Sequence, residues 1–306
     1  MKDQFASTIK ISDFEIGGFP GENPPVLIGS IFYMRHKLVQ DAEKGIFDQE
    51  KTLKLIKNIT DLADKTGVSF MYDVVGNTSK ALVSYIKFLK DNSKFPMLLN
   101  ATLPEVRIGA VQELAKLDLL DDVVYNSINP FSTDEEVAIL KEMPIDKAII
   151  QAYNPGSKKE DGALKALLGT RRLPSLLERA LECGIDKVMI DVPTYDMYSI
   201  GTVIAGADLI RKELDVPVGT SASNATYSSE WIRNKDNLTT EQFHIVDAAV
   251  NGMMVSQNCD FLLFGPVEGY KWVFPACAAT SAIHAFNLRK NNIQFMDKRH
   301  PANRVL

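Results

Sequence analysis

Seven polar side chains stand where short aliphatic runs of this chain come to an end: Asp73, Asn100, Asn126, Gln151, Asn154, Asp191 and Asn224. Two are carboxylates and five are carboxamides. A carboxamide offers two donors and an acceptor, whereas an ionised carboxylate only accepts. Groups of these types, converging on one place, match a flat neutral heterocycle whose edge alternates donors and acceptors. Asn or Asp after a strand also caps the helix that follows. Capping explains any one of the seven equally well, but it is a poorer account of all of them at one face. Asp191 is the least like a surface acid, because Val188, Met189 and Ile190 precede it and Val192 and Pro193 follow.

Other chemistries lack their residues. No G-x-G-x-x-G or G-x-x-x-x-G-K-[ST] run cradles a nucleotide phosphate, and neither a G-x-S-x-G elbow nor an H-E-x-x-H zinc helix occurs. His36, His244, His284 and His300 have no ligand spacing, so no metal site is expected. His36 follows a strand and is the one histidine placed near a candidate site. Cys183, Cys259 and Cys277 are odd in number and far apart, which reads as buried thiols in a reducing cytoplasm. The Asp-x-His-x-x-Gly loop that would hold a corrinoid is absent, so any cobalamin must arrive on another protein.

The elements that carry the polar set alternate along the chain. Eight apolar runs read as strands buried on both faces: Val26–Phe32, Ser69–Val75, Pro96–Asn100, Val123–Ser127, Lys147–Ala152, Lys187–Val192, Val216–Ser221 and Asp260–Gly265. Helical patterns separate them. Asp48 is placed as an N-cap, with Leu53, Ile56, Ile59 and Leu62 as one stripe and Gly67 as the stop. Thr78 caps the next helix, Thr133 and Glu136 form a capping box, and Ser175–Cys183 ends at Gly184. Eight β–α units predict an α/β fold, a single (β/α)8 TIM barrel spanning the chain. All strand-end groups then surround the C-terminal mouth. Thr8–Gly18 alternates like a short N-terminal β-hairpin able to cap the opposite end. Two long polar connections, Asn154–Arg172 and Ala222–Asn237, fall at the functional face.

The 306 residues carry a net charge of −5 with 45% hydrophobic content. That balance argues against nucleic acid and anionic membrane surfaces, which call for a basic face. No leader is visible at the N-terminus, and no run reaches the roughly 18–20 apolar residues of a membrane span. Ala248–Val255 comes nearest and is interrupted by Asn251 and Gly252. The expectation is a cytoplasmic protein with no membrane insertion.

The stretch Gly17–Asp48, GGFPGENPPVLIGSIFYMRHKLVQDAEKGIFD, closely resembles the opening of the H-subunit family of methyltransferases. Pro104-Glu105-Val106-Arg107, Tyr125-Asn126-Ser127-Ile128-Asn129, Asn154 and Ile190-Asp191-Val192 extend the resemblance. That family includes the tetrahydromethanopterin-handling component of a coenzyme M methyltransferase and soluble relatives acting on tetrahydrofolate. More distantly, the strand ends resemble pterin-binding methyltransferases and dihydropteroate synthases. The resemblance implies that Asn126 and Asp191 bond the pterin ring edge and that Asn224 reaches N5. Asp73, Asn100, Gln151 and Asn154 complete the implied substrate site. Asn100 stands where those relatives usually have aspartate. A charged partner bonds about twice as strongly as a neutral one, so either the edge is held more weakly or Asp73 supplies the charge.

The implied reaction is methyl transfer between a methylcorrinoid on a partner protein and N5 of tetrahydrofolate, with Asn224 and Asp191 as catalytic groups. The protein's part is orientation and control of the N5 proton. Two alternatives stand beside it: a tetrahydromethanopterin-specific component of a larger complex, and a non-catalytic pterin scaffold that recruits the corrinoid protein. An unrelated barrel lyase is a fourth reading, disfavoured by the lack of a strand-end lysine. A homodimer is expected from the resemblance alone. Lys158, Lys159, Arg171 and Arg172 read first as solvated surface, with a polyglutamate tail or corrinoid phosphate as the alternative. Arg35, His36 and Lys37 are left open.

Overall fold

All eight expected runs become strands of one closed parallel barrel. The computed structural model describes residues 4–290 and 298–305. The chain opens with a hairpin, β1 (Thr8–Ile11) and β2 (Phe14–Gly17), and enters the barrel at β3 (Val26–Ile31). A second small hairpin, β4 (Val39–Asp41) and β5 (Ile46–Phe47), leads to α1 (Gln49–Thr66). Next come β6 (Ser69–Val75), α2 (Ser79–Asn92), β7 (Met97–Asn100), α3 (Pro104–Lys116), β8 (Val123–Ile128), α4 (Asp134–Lys141) and β9 (Lys147–Gln151). Then follow α5 (Gly162–Leu168), α6 (Leu176–Glu182), β10 (Lys187–Asp191), α7 (Ile200–Leu214) and β11 (Val218–Thr220). The chain continues with α8 (Ser223–Ser228), α9 (Glu230–Arg233), α10 (Thr240–Ser256), β12 (Phe261–Pro266) and α11 (Tyr270–Lys290). Strands β3, β6, β7, β8, β9, β10, β11 and β12 follow one another around the barrel, and β12 pairs back onto β3.

The local signals act as read. Asp48 accepts the Lys51 N–H at 3.0 Å, and Gly67, at φ 74°, closes α1. Thr133 and Glu136 make the capping box of α4. The stripe on α1 is rotated from the expected one: Thr52, Ile56, Ile59, Ala63 and Thr66 are buried while Leu53 is exposed. Thr52 takes that place because its hydroxyl donates to the Asp48 carbonyl at 2.7 Å, which removes the penalty of burying it. The two connections expected as loops are partly helical. Ala163, Ala166 and Leu167 give α5 a buried face, and α8 and α9 occupy much of the second. The hairpin β4–β5 lies outside the elements expected from the sequence pattern.

Side chains alternate in and out along each strand. Outward residues such as Leu27, Tyr72, Tyr125 and Ile150 pack under the helices. The inward layer is apolar at the N-terminal end: Ile28, Met71, Leu98, Val124, Ile149, Met189 and Phe261. Ile9, Ile11, Phe14 and Ile16 of the first hairpin pack against that layer, so the hairpin plugs this mouth. Gly219 belongs to the same layer, and the space above it is filled by the Phe261 ring. All three cysteines are free and buried. No helix among the described residues is long and apolar enough to cross a membrane.

Candidate active site

Two residues above the apolar floor, the inward positions change character. Ile28 is followed inward by Ser30, Met71 by Asp73, Leu98 by Asn100, Val124 by Asn126, Ile149 by Gln151 and Met189 by Asp191. Parallel pairing sets Ser30 beside Asp73, Asn100 beside Asn126, and Gln151 beside Asp191. These groups line a cavity of about 510 Å³ at the C-terminal mouth, joined by Ser127, Asn129, Ser221, Asn224 and Gly265. The volume suits a small-molecule site.

Asp73 lies at the base of this cavity and is fully engaged. Ser30 Oγ donates to one carboxylate oxygen at 2.7 Å, while Asn100 Nδ2 and Asn126 Nδ2 donate to the other at 2.9 and 3.1 Å. A carboxylate can only accept, so it fixes which end of each amide faces it. The Oδ1 atoms of Asn100 and Asn126 are thereby left as acceptors for a ligand. Burial pushes the Asp73 carboxyl above its ordinary value, against the three hydrogen bonds that hold it down. Asp73 therefore acts on a ligand through the two amides it orients.

Asp191 is different. It is 4% exposed, and Ser221 Oγ reaches only one of its oxygens, at 3.4 Å. The other, Oδ1, is buried with no partner among the described residues. Burial pushes this carboxyl up to about 7, helped by the charge of Asp73 and opposed by the Ser221 hydroxyl and N–H. A native protein rarely leaves a buried carboxylate oxygen orphaned. Its position in the wall of a cavity makes it a group waiting for a donor from a ligand.

Asn224 faces the cavity from the first turn of α8, and its Nδ2 reaches the Thr194 carbonyl at 3.4 Å, a loose contact that leaves the amide free to turn. Six of the seven strand-end groups thus meet. Asn154 does not: its Nδ2 donates to the Gly162 carbonyl at 3.0 Å and its Oδ1 accepts the Gly156 N–H at 2.9 Å. Both ends of that amide fold its own loop, so it faces a neighbouring cavity instead. His36 is also absent from the lining. It is buried with Nε2 3.2 Å from Glu268, which ties the loops after β3 and β12.

Ser30 and Ser221 are not among the residues singled out from sequence, and Ser127, Asn129 and Arg107 appear there within the stretches that carry the resemblance, with no role assigned. Ser30 and Ser221 obey the same period of two that marks Asp73 and Asn126, so extending that rule to small hydroxyls finds them. Arg107, on α3, stands outside that period. It is buried, with Nη2 2.6 Å from Glu136 Oε1, Nε 3.0 Å from the Tyr125 hydroxyl, and Nη1 donating to the Ala101 carbonyl at 2.7 Å. Tyr125 also donates to Glu136. This cluster braces the loop after β7 against the start of α4, and with it the wall that carries Asn100. Among the described residues no group of His, Cys, Asp and Glu is arranged to hold a metal ion.

Known proteins resemble the chain along most of its length. The family model described as "Tetrahydromethanopterin S-methyltransferase MtrH subunit" matches residues 4–296. The H subunit of tetrahydromethanopterin S-methyltransferase from Methanopyrus kandleri is 33% identical over 308 residues, covering 96% of both chains. Its counterpart from Methanothermobacter thermautotrophicus is 32% identical over 280 residues, covering 90% of both. Among solved structures, a dihydropteroate synthase from Xanthomonas albilineans superimposes with a TM-score of 0.60 at 15% identity, covering 92% of this chain and 99% of that one. At that identity the likeness speaks to the barrel alone.

Proposed function

The chain belongs to the tetrahydromethanopterin S-methyltransferase MtrH subunit family, and on that premise we propose that it is a methyltransferase whose carboxamide-lined cavity binds a tetrahydropterin. N5 of the pterin exchanges a methyl group with a corrinoid carried by a partner protein. Tetrahydromethanopterin is the favoured substrate. The resemblance to soluble relatives puts tetrahydrofolate first, but relatives that match nearly end to end carry tetrahydromethanopterin in their names.

One observation carries the pterin reading: the unpartnered Oδ1 of Asp191, buried in a wall that otherwise offers amide oxygens. A pterin edge presents a ring N–H and an exocyclic amine. Asn100 and Asn126 supply acceptors already turned by Asp73, and Asp191 supplies a charged acceptor. Because its carboxyl titrates near neutrality, Asp191 can also hold a proton while the ring is bound. Asn224 offers N5 either a donor or an acceptor by turning its amide. Gln151, beside Asp191 in the next strand, closes the wall. The apolar floor beneath excludes water from the inner ring face, which strengthens every polar contact made there.

The test mixes the purified protein anaerobically with a methylated corrinoid, free or protein-bound, and each tetrahydropterin, and follows the cob(I)alamin absorbance. Turnover with tetrahydromethanopterin supports the favoured reading, and turnover with tetrahydrofolate alone reverses the substrate. Pterin binding without turnover in the presence of a competent corrinoid protein leaves a scaffold.

A further inference from the structure

We propose that a second cavity beside the first receives an anionic group at the end of the substrate's side chain, a reading that rests on the pterin assignment. This cavity, about 230 Å³, lies across the β9–β10 wall from the first. Gln151 and Asp191 line the pterin cavity, and the next residues on the same strands, Ala152 and Val192, line the second. The Ala152 N–H donates to the Asp191 carbonyl at 2.9 Å, so the two spaces share one wall.

Aromatic rings mark the way between them. Phe131 lines the pterin cavity and is 68% exposed. Its ring lies 6.0 Å from that of Tyr153, which in turn lies 6.3 Å from that of Tyr195 in the second cavity. Rings in series suit an aryl segment, which gains from offset or edge contacts with each. Beyond them stand two cations that line the second cavity, Lys158 and Lys159. Lys158 Nζ sits 4.8 Å from the centroid of the Tyr195 ring and has no carboxylate partner among the described residues. The ammonium is thus held over an aromatic face with no carboxylate on it, placed to meet an anion.

Two acids also line this cavity, and they shape the test. Asp196 is engaged as a cap, accepting the Ser199 N–H at 2.8 Å. Glu160 opposes an incoming anion, so its removal tightens binding. The chemistry recognised is a planar linker ending in carboxylate or phosphate. A heterocycle with no tail gains nothing from Lys158.

Titration calorimetry without corrinoid tests this on wild type, Lys158→Ala and Glu160→Gln. The ligands are 6-methyltetrahydropterin, tetrahydrofolate with one and with three glutamates, and a tetrahydropterin whose tail ends in phosphate. Wild type binds the tailed ligands about tenfold more tightly than 6-methyltetrahydropterin, a margin that falls as ionic strength rises. Lys158→Ala loses roughly fivefold to tenfold for tailed ligands and keeps its affinity for the tail-less one. Glu160→Gln shifts the tailed ligands the other way. Whether carboxylate or phosphate gains more identifies the natural anion. Equal wild-type affinity with and without a tail, or a Lys158→Ala loss shared by both, overturns the inference and leaves the pterin site standing. Failure of every ligand to bind folded wild type overturns the pterin reading itself, and this inference with it.

Discussion

Asp191→Asn tests the central side chain through its charge. The carboxyl is raised from 3.8 to about 7, so the folded protein holds a proton that the unfolded chain releases near pH 4. A raised folded value means that the stabilising contribution is complete below pH 4 and is lost as pH rises through about 7. At roughly 1.36 kcal/mol per unit, a shift of about three units corresponds to about 4 kcal/mol between pH 4 and pH 8. Asparagine has the same shape and does not titrate. Its Oδ1 can accept from Ser221 as the carboxylate does. Equilibrium denaturation of both proteins at pH 5, 6, 7 and 8 isolates this group, because every other titrating residue is common to the two. The variant gains on wild type as pH rises, by about 2.6 kcal/mol between pH 5 and pH 8, or about 5 °C in Tm at roughly 2 °C per kcal/mol. Ligand binding shows the complementary effect. Ring donors favour the ionised form, so wild type releases a proton on binding tetrahydropterin below pH 7, and the variant releases none. Parallel stability curves for the two proteins would refute the assignment of a buried, neutral-range carboxyl to Asp191.

Asn224→Ala lowers the rate of methyl transfer by on the order of 10²-fold, about 3 kcal/mol, as loss of one transition-state partner does; stopped-flow turnover equal to wild type removes Asn224 from the mechanism. Gly219→Ala places a Cβ against the Phe261 carbonyl oxygen and 2.6 Å from its ring. The barrel floor must shift, costing about 3 kcal/mol by urea denaturation; an unchanged midpoint contradicts the packing described. Arg107→Met strands the Glu136 charge in the interior and costs about 3–5 kcal/mol, and adding Glu136→Gln recovers roughly half. Additive losses in that double variant would show that the two residues do not act as a pair.

The barrel was legible because its determinants are local. Each aliphatic run is short, each is followed by a cap signal such as Asp48 or Thr133, and eight repeats leave few ways to pair parallel strands. The positions of Asp73, Asn100, Asn126, Gln151 and Asp191 at one mouth follow from strand direction alone. What the sequence could not fix was the state of each group, because its partners are distant along the chain. Asp73 is held by Ser30, Asn100 and Asn126, which lie 43, 27 and 53 residues away. Only closure of the barrel turns those amides toward it and leaves Asp191 with an open oxygen. Asn154 shows the reverse: it looks the same in sequence, yet the loop it sits in offers a carbonyl and an N–H at hand, and these local bonds take it from the site. Strand order and register are nonlocal quantities, so composition and spacing determined which groups reach the mouth, and tertiary packing decided which of them remain free to bind.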